Sequence, residues 1–288
     1  MALGFVKSHG AGNDFVLVED LDDRLGSLDP KLVVALCDRH QGVGADGLIR
    51  IAPADGADFF MDYYNADGGV AEMCGNGIRC LAKYVADRRL ASGETLRIDS
   101  RAGVKDVVLY RDADGLVDRV RVDMGPPILE RGRIPVGGEG DPLHVPVDVE
   151  GTPLEAACVS MGNPHAVVFV DRLQGVNVER FGPAIETLPV FPAKTNVEFT
   201  EVLSPDEVRV RVWERGVGET QACGTGACAT AVAASLRGLT GRVVAVHMPG
   251  GTLDIEWTEE TVYLTGPVVE VFSGTIDDRF ARLFPSPA

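Results

Sequence analysis

The sequence carries Cys74-Gly75-Asn76-Gly77 in its first half and Cys223-Gly224-Thr225-Gly226 in its second half. In each copy a thiol stands directly before a Gly-x-Gly run that opens a helical stretch. The match extends outward, because Asn65 stands nine residues before the first cysteine and Glu214 stands nine residues before the second. The repeat predicts two pseudo-symmetric lobes, each with one cysteine, and an active site in the cleft between them.

The length and composition agree with two lobes. The chain has 288 residues, of which 45% are hydrophobic and 24% are charged, as in ordinary globular proteins. Single cores give way to separate domains at about 250–300 residues. We predict an N-terminal lobe at 1–122, joined by about 268–288, and a C-terminal lobe at 123–267.

Short runs rich in β-branched residues outnumber the helical stretches, which predicts an α+β fold in which many strands wrap few helices. Strands are predicted at 15–18, 48–51, 59–64, 95–98, 104–110, 117–122, 166–170, 197–199, 208–213, 243–247, 253–257 and 262–264. Helices are predicted from Pro30, capped by Asp29, to about 39, and at 75 to about 90, 178–188 and 224–236. The stretch 124–146 is rich in Gly and Pro and reads as a crossing segment, and 268–284 is expected to return to the first lobe.

The charge balance excludes some partners. Asp and Glu outnumber Lys and Arg by 43 to 27, for a net charge of −16, and this repels nucleic-acid backbones. The first residues lack the apolar core of a signal peptide, and no apolar run approaches the ~18 residues of a membrane helix. Six cysteines are too few for a disulfide scaffold. We therefore expect a reduced cytoplasmic protein.

A cysteine at a helix start suits acid/base chemistry. The first helical turn has N–H groups without partners and a partial positive charge, which we expect to lower the pKa of a thiol below about 8.5. The same N–H groups can hold a carboxylate, and glycine lets it approach the backbone. Inversion of a carbon acid needs a base on one face and an acid on the other, and a thiolate and a thiol supply both. We assign Cys223 as proton acceptor and Cys74 as donor, with the roles exchanged in reverse.

Other interpretations of the cysteines and glycines stay open. Four cysteines are interpreted as buried apolar fillers, namely Cys37, Cys80, Cys158 and Cys228. Neither motif cysteine belongs to a Cys-x-x-Cys pair, so we predict no metal. The run from Gly42 to Gly47 matches Gly-x-Gly-x-x-Gly, but it follows a helix and leads into a strand, the reverse of a dinucleotide site.

Polar residues at comparable repeat positions suggest a pocket for an amino acid. Asparagine amides can donate to a carboxylate and accept from an ammonium, and four stand beside apolar runs, namely Asn13, Asn65, Asn163 and Asn196. Glu214 and Arg215 offer one partner for each charge of an amino acid, although adjacent charges are more often a surface ion pair. His165 fits a functional residue and a buried core histidine equally well.

Seven motifs resemble the diaminopimelate epimerase family and run in order over nearly the whole chain. They are Gly10-Ala11-Gly12-Asn13-Asp14-Phe15, Gly44-Ala45-Asp46-Gly47, Asn65-Ala66-Asp67-Gly68, Met73-Cys74-Gly75-Asn76-Gly77-Ile78-Arg79-Cys80, Gly162-Asn163-Pro164-His165, Glu214-Arg215-Gly216 and Ala222-Cys223-Gly224-Thr225-Gly226. The two cysteine motifs together with the Glu-Arg-Gly run are highly specific.

The resemblance implies a cofactor-independent epimerase that interconverts LL- and meso-2,6-diaminopimelate in lysine and cell-wall precursor synthesis. It implies two lobes, each a barrel-like shell of strands around a central helix, and a homodimer. By this resemblance Cys74 and Cys223 are the acid/base pair, with His165 and Glu214 as supporting residues. The implied substrate-binding residues are Asn13, Asn65, Gly75, Asn76, Asn163, Asn196, Glu214, Arg215, Gly224 and Thr225.

The chain departs from the family pattern at three places. Some members carry glutamine where Gly47 stands, some carry tyrosine where Phe272 stands, and the stretch 136–141 looks longer than usual. Two alternative functions remain beside the epimerase. One is a proline or hydroxyproline racemase with a similar cysteine pair, and the other is a thiol redox or ligand-binding protein without isomerase activity.

Overall fold

The computed structural model describes residues 3–281, and the chain divides into two compact units. Unit 1 comprises Met1–Val122 and Gly266–Ala288, and unit 2 comprises Asp123–Thr265. The division from the sequence has the same first boundary and a second boundary two residues later. The part of the predicted N-terminal lobe beyond residue 281 lies outside the described residues.

Residues 3–281 form seventeen strands and five helices. The strands are β1 (Leu3–Gly10), β2 (Asn13–Glu19), β3 (Gly47–Ala52), β4 (Phe59–Asn65), β5 (Thr95–Asp99), β6 (Lys105–Arg111), β7 (Val117–Gly125), β8 (Val145–Val149), β9 (Thr152–Ser160), β10 (Pro164–Phe169), β11 (Asn196–Ser204), β12 (Glu207–Glu214), β13 (Gly218–Thr220), β14 (Val243–Met248), β15 (Gly251–Trp257), β16 (Val262–Pro267) and β17 (Val269–Ile276). The helices are α1 (Pro30–Cys37), α2 (Gly75–Asp87), α3 (Val178–Glu186), α4 (Gly224–Leu236) and α5 (Asp278–Ala281).

The strands of unit 1 follow the order β17-β1-β2-β3-β4-β5-β6-β7. Neighbours are antiparallel except for two parallel pairs, β2 with β3 and β4 with β5. A parallel pair needs a crossover, and α1 and α2 supply the two crossovers. Helix α2 packs against β1 to β6 and β17, with Ile78, Leu81 and Val85 fully buried.

Local signals in the sequence explain where α1 begins. The side chain of Asp29 accepts a hydrogen bond from Lys31 N at 2.8 Å, and Pro30 occupies the first helical position. Both features favour a helix start, because the first N–H groups of a helix lack partners inside it and proline has none to lose. The predicted N-terminus of α1 is therefore confirmed, and its C-terminus lies two residues earlier than predicted.

Unit 2 repeats the plan of unit 1. Its strands follow the order β8-β9-β10-β11-β12-β14-β15-β16, with β10–β11 and β12–β14 parallel, and β13 is an extra strand on β12. Helices α3 and α4 occupy the places of α1 and α2. Helix α4 packs against β9, β10, β11, β14 and β15, and every residue in 226–234 is buried. Its many alanines leave room for strands close to the helix axis.

The predicted α+β class, rich in strands and with few helices, is confirmed. The prediction missed β1, β8, β9, β13, β17 and α5, and it placed the end of α2 near Leu90 instead of Asp87. Strand β1 contains Lys7, Ser8 and His9, a polar run without clear alternation, and its pairing comes from β2 and β17. Among residues 3–281, no helix combines the length and the apolar character that crossing a bilayer requires.

Candidate active site

Cys74 is the N-cap of α2 in unit 1. Its backbone is extended, with φ −139° and ψ 120°, and its carbonyl accepts the first helical hydrogen bond from Ile78 N at 2.9 Å. The thiol is half-buried, and its Sγ lies 3.6 Å from Asn13 Oδ1. The predicted helix start is therefore confirmed, and the thiol lies at the N-terminus of α2 beside the predicted amide of Asn13.

Arg79 fixes the first turn of α2 from below. Its guanidinium is fully buried and donates to Gly75 O at 3.0 Å and to Asn76 Oδ1 at 2.8 Å. Because its oxygen accepts from Arg79, the Asn76 amide directs its nitrogen toward Asn13 Oδ1 at 3.1 Å. The order of donors and acceptors therefore sets the orientation of both amides.

A charged cluster orients Asn13 from its other side. Asn13 Nδ2 donates to Asp46 Oδ2 at 2.7 Å, and Arg39 Nη2 bridges Asp46 and Asp14 at 2.8 Å to each. Burial alone would raise the pKa of Asp14, but hydrogen bonds from Arg39 and Lys7 hold that pKa well below its usual value. The cluster leaves Asn13 with its oxygen toward Cys74.

Asn65 lies at the exposed end of β4, where it pairs in register with Gly47 of β3. A Cβ placed at Gly47 would lie 2.6 Å from Tyr64 O and 2.7 Å from the ring of Tyr63. A side chain at position 47 therefore requires the backbone of Tyr64 and the ring of Tyr63 to move, which gives a physical reason for glycine at this position.

Cys223 is the N-cap of α4 in unit 2, with the same extended backbone as Cys74, at φ −123° and ψ 115°. Unlike Cys74 it is buried, and its Sγ accepts from Gly226 N at 3.4 Å and lies 3.5 Å from Thr225 Oγ1. Burial raises the pKa of the Cys223 thiol well above its usual value, and the charges of Glu214 and Glu198 raise it further. The expectation that a helix start lowers the pKa is therefore wrong for Cys223, because burial and two carboxylates outweigh the donors of the first turn.

Glu214 and Arg215 do not form the surface ion pair that adjacent charges suggest; no such contact occurs in the described part of the chain. Burial raises the pKa of Glu214, while hydrogen bonds from Thr220 and Cys223 act in the opposite direction. Arg215 is exposed, its backbone N donates to Asn196 Oδ1 at 2.9 Å, and its Nη1 donates to the carbonyl of Ala193 at 3.0 Å. The two side chains therefore have separate surroundings.

Asn196 and His165 lie opposite each other in the parallel register of β10 and β11. Asn196 is buried, and besides accepting from Arg215 its Nδ2 donates to Pro164 O at 2.8 Å. His165 is fully buried, with Nε2 3.0 Å from Asn163 Oδ1 and Nδ1 2.7 Å from Glu198 Oε1. The predicted residues of unit 2 therefore form two small groups, one around Asn196 and one around His165.

Known proteins are similar to this chain over most of its length. A family model described as diaminopimelate epimerase matches residues 5–130 and 157–271. The chain belongs to the diaminopimelate epimerase family. It is 51% identical over 273 residues to the diaminopimelate epimerase of Pelotomaculum thermopropionicum. The matched region covers 94% of this chain and 97% of that relative. The diaminopimelate epimerase of Moorella thermoacetica is also 51% identical over 273 residues, with 94% and 98% covered.

Membership in the diaminopimelate epimerase family confirms the resemblance found in the motifs, and it confirms the predicted class of enzyme, an amino-acid epimerase. Among solved structures, the hydroxyproline epimerase from Agrobacterium vitis matches with a TM-score of 0.70 at 16% identity, over 96% of this chain and 92% of that one. At this identity the likeness shows the fold alone, and it agrees with the α+β architecture of two lobes.

Three residues around the candidate site were not predicted from the sequence. Glu198 is fully buried beside His165, Asp46 holds Asn13, and Arg79 holds Asn76. A signal for Glu198 was present, because it is a lone acid inside the predicted strand 197–199. Asp46 and Arg79 stood inside the quoted motifs, but their partners depend on folding.

The glycine run from Gly42 to Gly47 packs closely against the end of α1 and the residues that follow it. A Cβ at Gly42 would lie 2.1 Å from Ala35 O, and one at Gly44 would lie 2.9 Å from the Cα of Arg39. The run follows α1 and leads into β3, the order that argues against a dinucleotide site. Within residues 3–281 no group of three or more His, Cys, Asp or Glu side chains is placed to hold a metal ion.

The remaining cysteines behave as core residues. All four are buried, and burial raises the pKa of Cys37, Cys80 and Cys158 to about 12 in each case. A thiol that stays protonated at neutral pH is a weak nucleophile and packs as a small apolar group. Their interpretation as fillers agrees with these surroundings.

Proposed function

We propose that this protein converts LL-2,6-diaminopimelate to meso-2,6-diaminopimelate without a cofactor, with Cys74 and Cys223 as the acid/base pair. One observation carries the proposal. In a chain of this family, each of the two units presents a thiol at the N-cap of a helix that begins with Gly-x-Gly. A single base returns a proton to the face it came from, whereas two thiols on opposite faces invert the centre.

The proposed reaction conserves protons. A thiolate takes the proton from the α-carbon, which leaves a carbanion whose charge spreads onto the neighbouring carboxylate. The opposite thiol then gives its proton to the other face and becomes a thiolate. The first-turn N–H groups of α2 and α4, at Gly75, Asn76, Gly224 and Thr225, are suited to hold the carboxylate where this charge develops.

The surroundings of Cys223 support an order of events opposite to the one expected from the sequence. Its raised pKa favours the protonated thiol in the resting protein. Cys74 is then the base that begins the reaction on the LL isomer, and Cys223 is the donor. Glu214, which accepts from the thiol of Cys223, can hold the proton on that side during the reverse step.

The distal end of the substrate requires partners for a second ammonium and carboxylate. Arg215 supports a role at this carboxylate, because its guanidinium is exposed and its backbone is held by Asn196. The side-chain amides of Asn13, Asn65, Asn163 and Asn196 complete the proposed pocket on the basis of the family motifs. Proline has no second charged end, and this favours diaminopimelate.

Turnover in heavy water tests the proposed function. The purified protein is given LL-diaminopimelate, L-proline or trans-4-hydroxy-L-proline in separate reactions, and products are analysed by mass spectrometry and chiral chromatography. We expect only diaminopimelate to react, with the inverted centre carrying solvent deuterium. Turnover of either proline substrate alone would assign the chain to the racemase alternative, and absence of any turnover would favour a redox or ligand-binding protein.

Mild oxidation tests whether the two thiols face each other. Diamide removes one hydrogen from each of two neighbouring thiols and joins the sulfurs, so we expect a Cys74–Cys223 disulfide and loss of activity. Dithiothreitol should restore both thiols and the activity. Peptide mapping that finds the two cysteines unlinked while activity persists would contradict the proposed pair.

We further propose a cytoplasmic homodimer with a role in lysine and cell-wall precursor synthesis and with no nucleic-acid or membrane partner. The dimer is supported by three exposed apolar residues on β17, Val269, Val271 and Phe272. The cysteines form no disulfide within residues 3–281, which suits a reducing compartment, and the net charge of −16 disfavours nucleic acid. Sedimentation of the wild type and of Phe272→Glu checks the dimer, because a charge on this surface should shift the protein to monomers.

A further inference from the structure

Glu198 is a fully buried acid that the proposed acid/base chemistry does not use. It lies on β11, its Oε1 is 2.7 Å from His165 Nδ1, and its Oε2 has no hydrogen-bond partner in the described part of the chain. Burying a carboxylate with one oxygen unpaired opposes folding unless another interaction compensates. Its presence therefore needs a reason beyond packing.

Unit 1 shows that the fold does not require a polar group at this place. In the matching register, β2 and β3 bring Phe15 opposite Gly47, while β10 and β11 bring His165 opposite Asn196. Two residues further along β3 stands Ile49, the counterpart of Glu198. The same plan of strands therefore has Phe15 and Ile49 in one unit and the polar pair in the other.

The two counterparts also touch the same part of their helices. A Cβ at Gly77 in α2 would lie 2.7 Å from Ile49 Cδ1, and a Cβ at Gly226 in α4 would lie 2.7 Å from Glu198 Oε1. Each residue thus forms the floor under the first helical turn, three residues after the cysteine. The apolar side chain of Ile49 is sufficient for packing beneath α2. Packing beneath α4 therefore does not explain the acid at Glu198, which must have another role.

The contacts of His165 determine where its protons are. Nε2 faces the amide oxygen of Asn163, which can only accept, so Nε2 carries a hydrogen. Nδ1 faces the carboxylate of Glu198, so one further proton lies between these two atoms. This shared proton joins His165 to Glu198.

We propose that Glu198 is a positioning residue that, through His165, fixes the side-chain amide of Asn163 with its NH2 group available to substrate. The imidazole N–H occupies Asn163 Oδ1, so the oxygen cannot turn toward the pocket, and the described residues offer no acceptor to Asn163 Nδ2. The NH2 group then donates to a substrate carboxylate. This last step rests on the proposed function, whereas the chain from Glu198 to Asn163 does not.

The protonation of His165 in the wild-type protein is the first measurement. Long-range proton–nitrogen correlation on uniformly 15N-labelled protein reports which ring nitrogens carry hydrogen, and the signal missing in His165→Phe identifies His165. We expect a protonated Nε2 at neutral pH. An unprotonated Nε2 with the hydrogen fixed on Nδ1 would overturn the proposal without any variant of Glu198.

Variants of Glu198 are the second measurement. Glu198→Leu removes the partner of Nδ1, so we expect His165 to lose its fixed protonation pattern and the KM for diaminopimelate to rise about tenfold or more, with a smaller change in kcat. Glu198→Gln can donate to Nδ1 from its amide, and it should keep Nε2 protonated and restore most of the affinity. A merely structural role predicts no such rescue linked to the His165 signal.

Thr200→Val is the matched control. Thr200 lies two residues further along β11, is fully buried, and has an Oγ1 without a partner in the described residues, as Glu198 has its Oε2. Its replacement removes a buried polar atom but leaves His165 untouched, so the His165 signal and the KM should stay unchanged. If Glu198→Leu behaves like this control, the proposal is wrong. If the wild type does not react with diaminopimelate, the proposed function fails, and the His165 signal alone decides the role of Glu198.

Discussion

Asn13 in unit 1 and Asn163 in unit 2 occupy equivalent places in the repeat but have opposite orientations. Asn13 gives its NH2 group to Asp46, and its oxygen faces Cys74 and Asn76. Asn163 has its oxygen occupied by His165 instead. The repeat therefore sets the backbone around each asparagine, while residues from neighbouring strands and loops decide which end of the amide is available.

The two helices that carry the motif cysteines differ in the same way. Arg79 holds the first turn of α2 with a positive charge, and Cys74 is half-buried. The corresponding turn of α4 has small residues around a buried Cys223, and the nearby charges are the carboxylates of Glu214 and Glu198. We therefore expect the two thiols to differ in acidity although their backbones are equivalent, and this difference can be tested.

Replacing either motif cysteine should have the largest effect on activity and should show how the two thiols differ. Cys74→Ser and Cys223→Ser should each lower net epimerisation by about 10²–10⁴-fold, because each removes one partner of the acid/base pair. If Cys74 is the base for the LL isomer, Cys223→Ser still exchanges the α-hydrogen of LL-diaminopimelate with heavy water without inversion, and Cys74→Ser exchanges that of the meso isomer. Proton NMR of the recovered substrate distinguishes the two.

The core cysteine Cys158 provides the control for this pair, and Cys158→Ala should keep its activity. An exchange pattern with the isomers reversed would make Cys223 the starting base. Substantial turnover by both serine variants would remove the two-thiol mechanism.

Replacing Arg79 should show that α2 and α4 are stabilised by different contacts. Arg79→Met removes donors from Gly75 O and Asn76 Oδ1, and we expect the opening free energy of α2 to fall by about 3 kcal/mol. Cys228→Ala, at the corresponding position of α4, removes only a sulfur atom and should cost about 1 kcal/mol. Hydrogen exchange of the amides in each helix measures the two values separately. Equal losses would mean that Arg79 has no special role.

Replacing His165 and Glu198 by the residue types of their unit 1 counterparts tests whether this polar pair is needed for function or for folding. The double variant His165→Phe/Glu198→Ile should fold with a stability within about 2 kcal/mol of the wild type, because apolar replacements of buried pairs are often tolerated. Its kcat/KM should fall at least about tenfold, which corresponds to ~1.4 kcal/mol. Thermal unfolding and the epimerase assay are measured on the same preparation.

Collapse of the double variant would assign the pair to folding. Full activity would show that Asn163 needs no fixed orientation.

The smallest expected effect concerns the acidity of Cys223. An ionised Glu214 disfavours the neighbouring thiolate, so Glu214→Gln should lower the pKa of Cys223 and move its alkylation by iodoacetamide to lower pH, by about one pH unit. Glu219→Gln is the control, since Glu219 pairs with Arg211 at the surface. Mass spectrometry of the labelled peptide follows the pH profile. A profile that both variants leave unchanged would mean that Glu214 does not contribute to the acidity of Cys223.

Local patterns in the sequence predicted the parts of the site that depend on neighbouring residues. The starts of α2 at Gly75 and α4 at Gly224 are confirmed to the residue, because a cap and a Gly-x-Gly run act within one turn. The contacts of Asn13 with Asp46 and of His165 with Glu198 each join residues 33 apart in the chain. Such contacts depend on strand pairing, and the repeat does not encode them because Ile49 stands where Glu198 would be.

The pairing of β1 with β17 has a consequence for synthesis on the ribosome. Leu3 pairs with Ile276, so the first strand to leave the ribosome must wait for one of the last before its sheet is complete. Unit 2 lies entirely between these two strands and can finish folding earlier. The N-terminal half is therefore completed last, and a chain cut short before residue 269 would leave the edge of β1 that faces β17 without its partner and prone to aggregation.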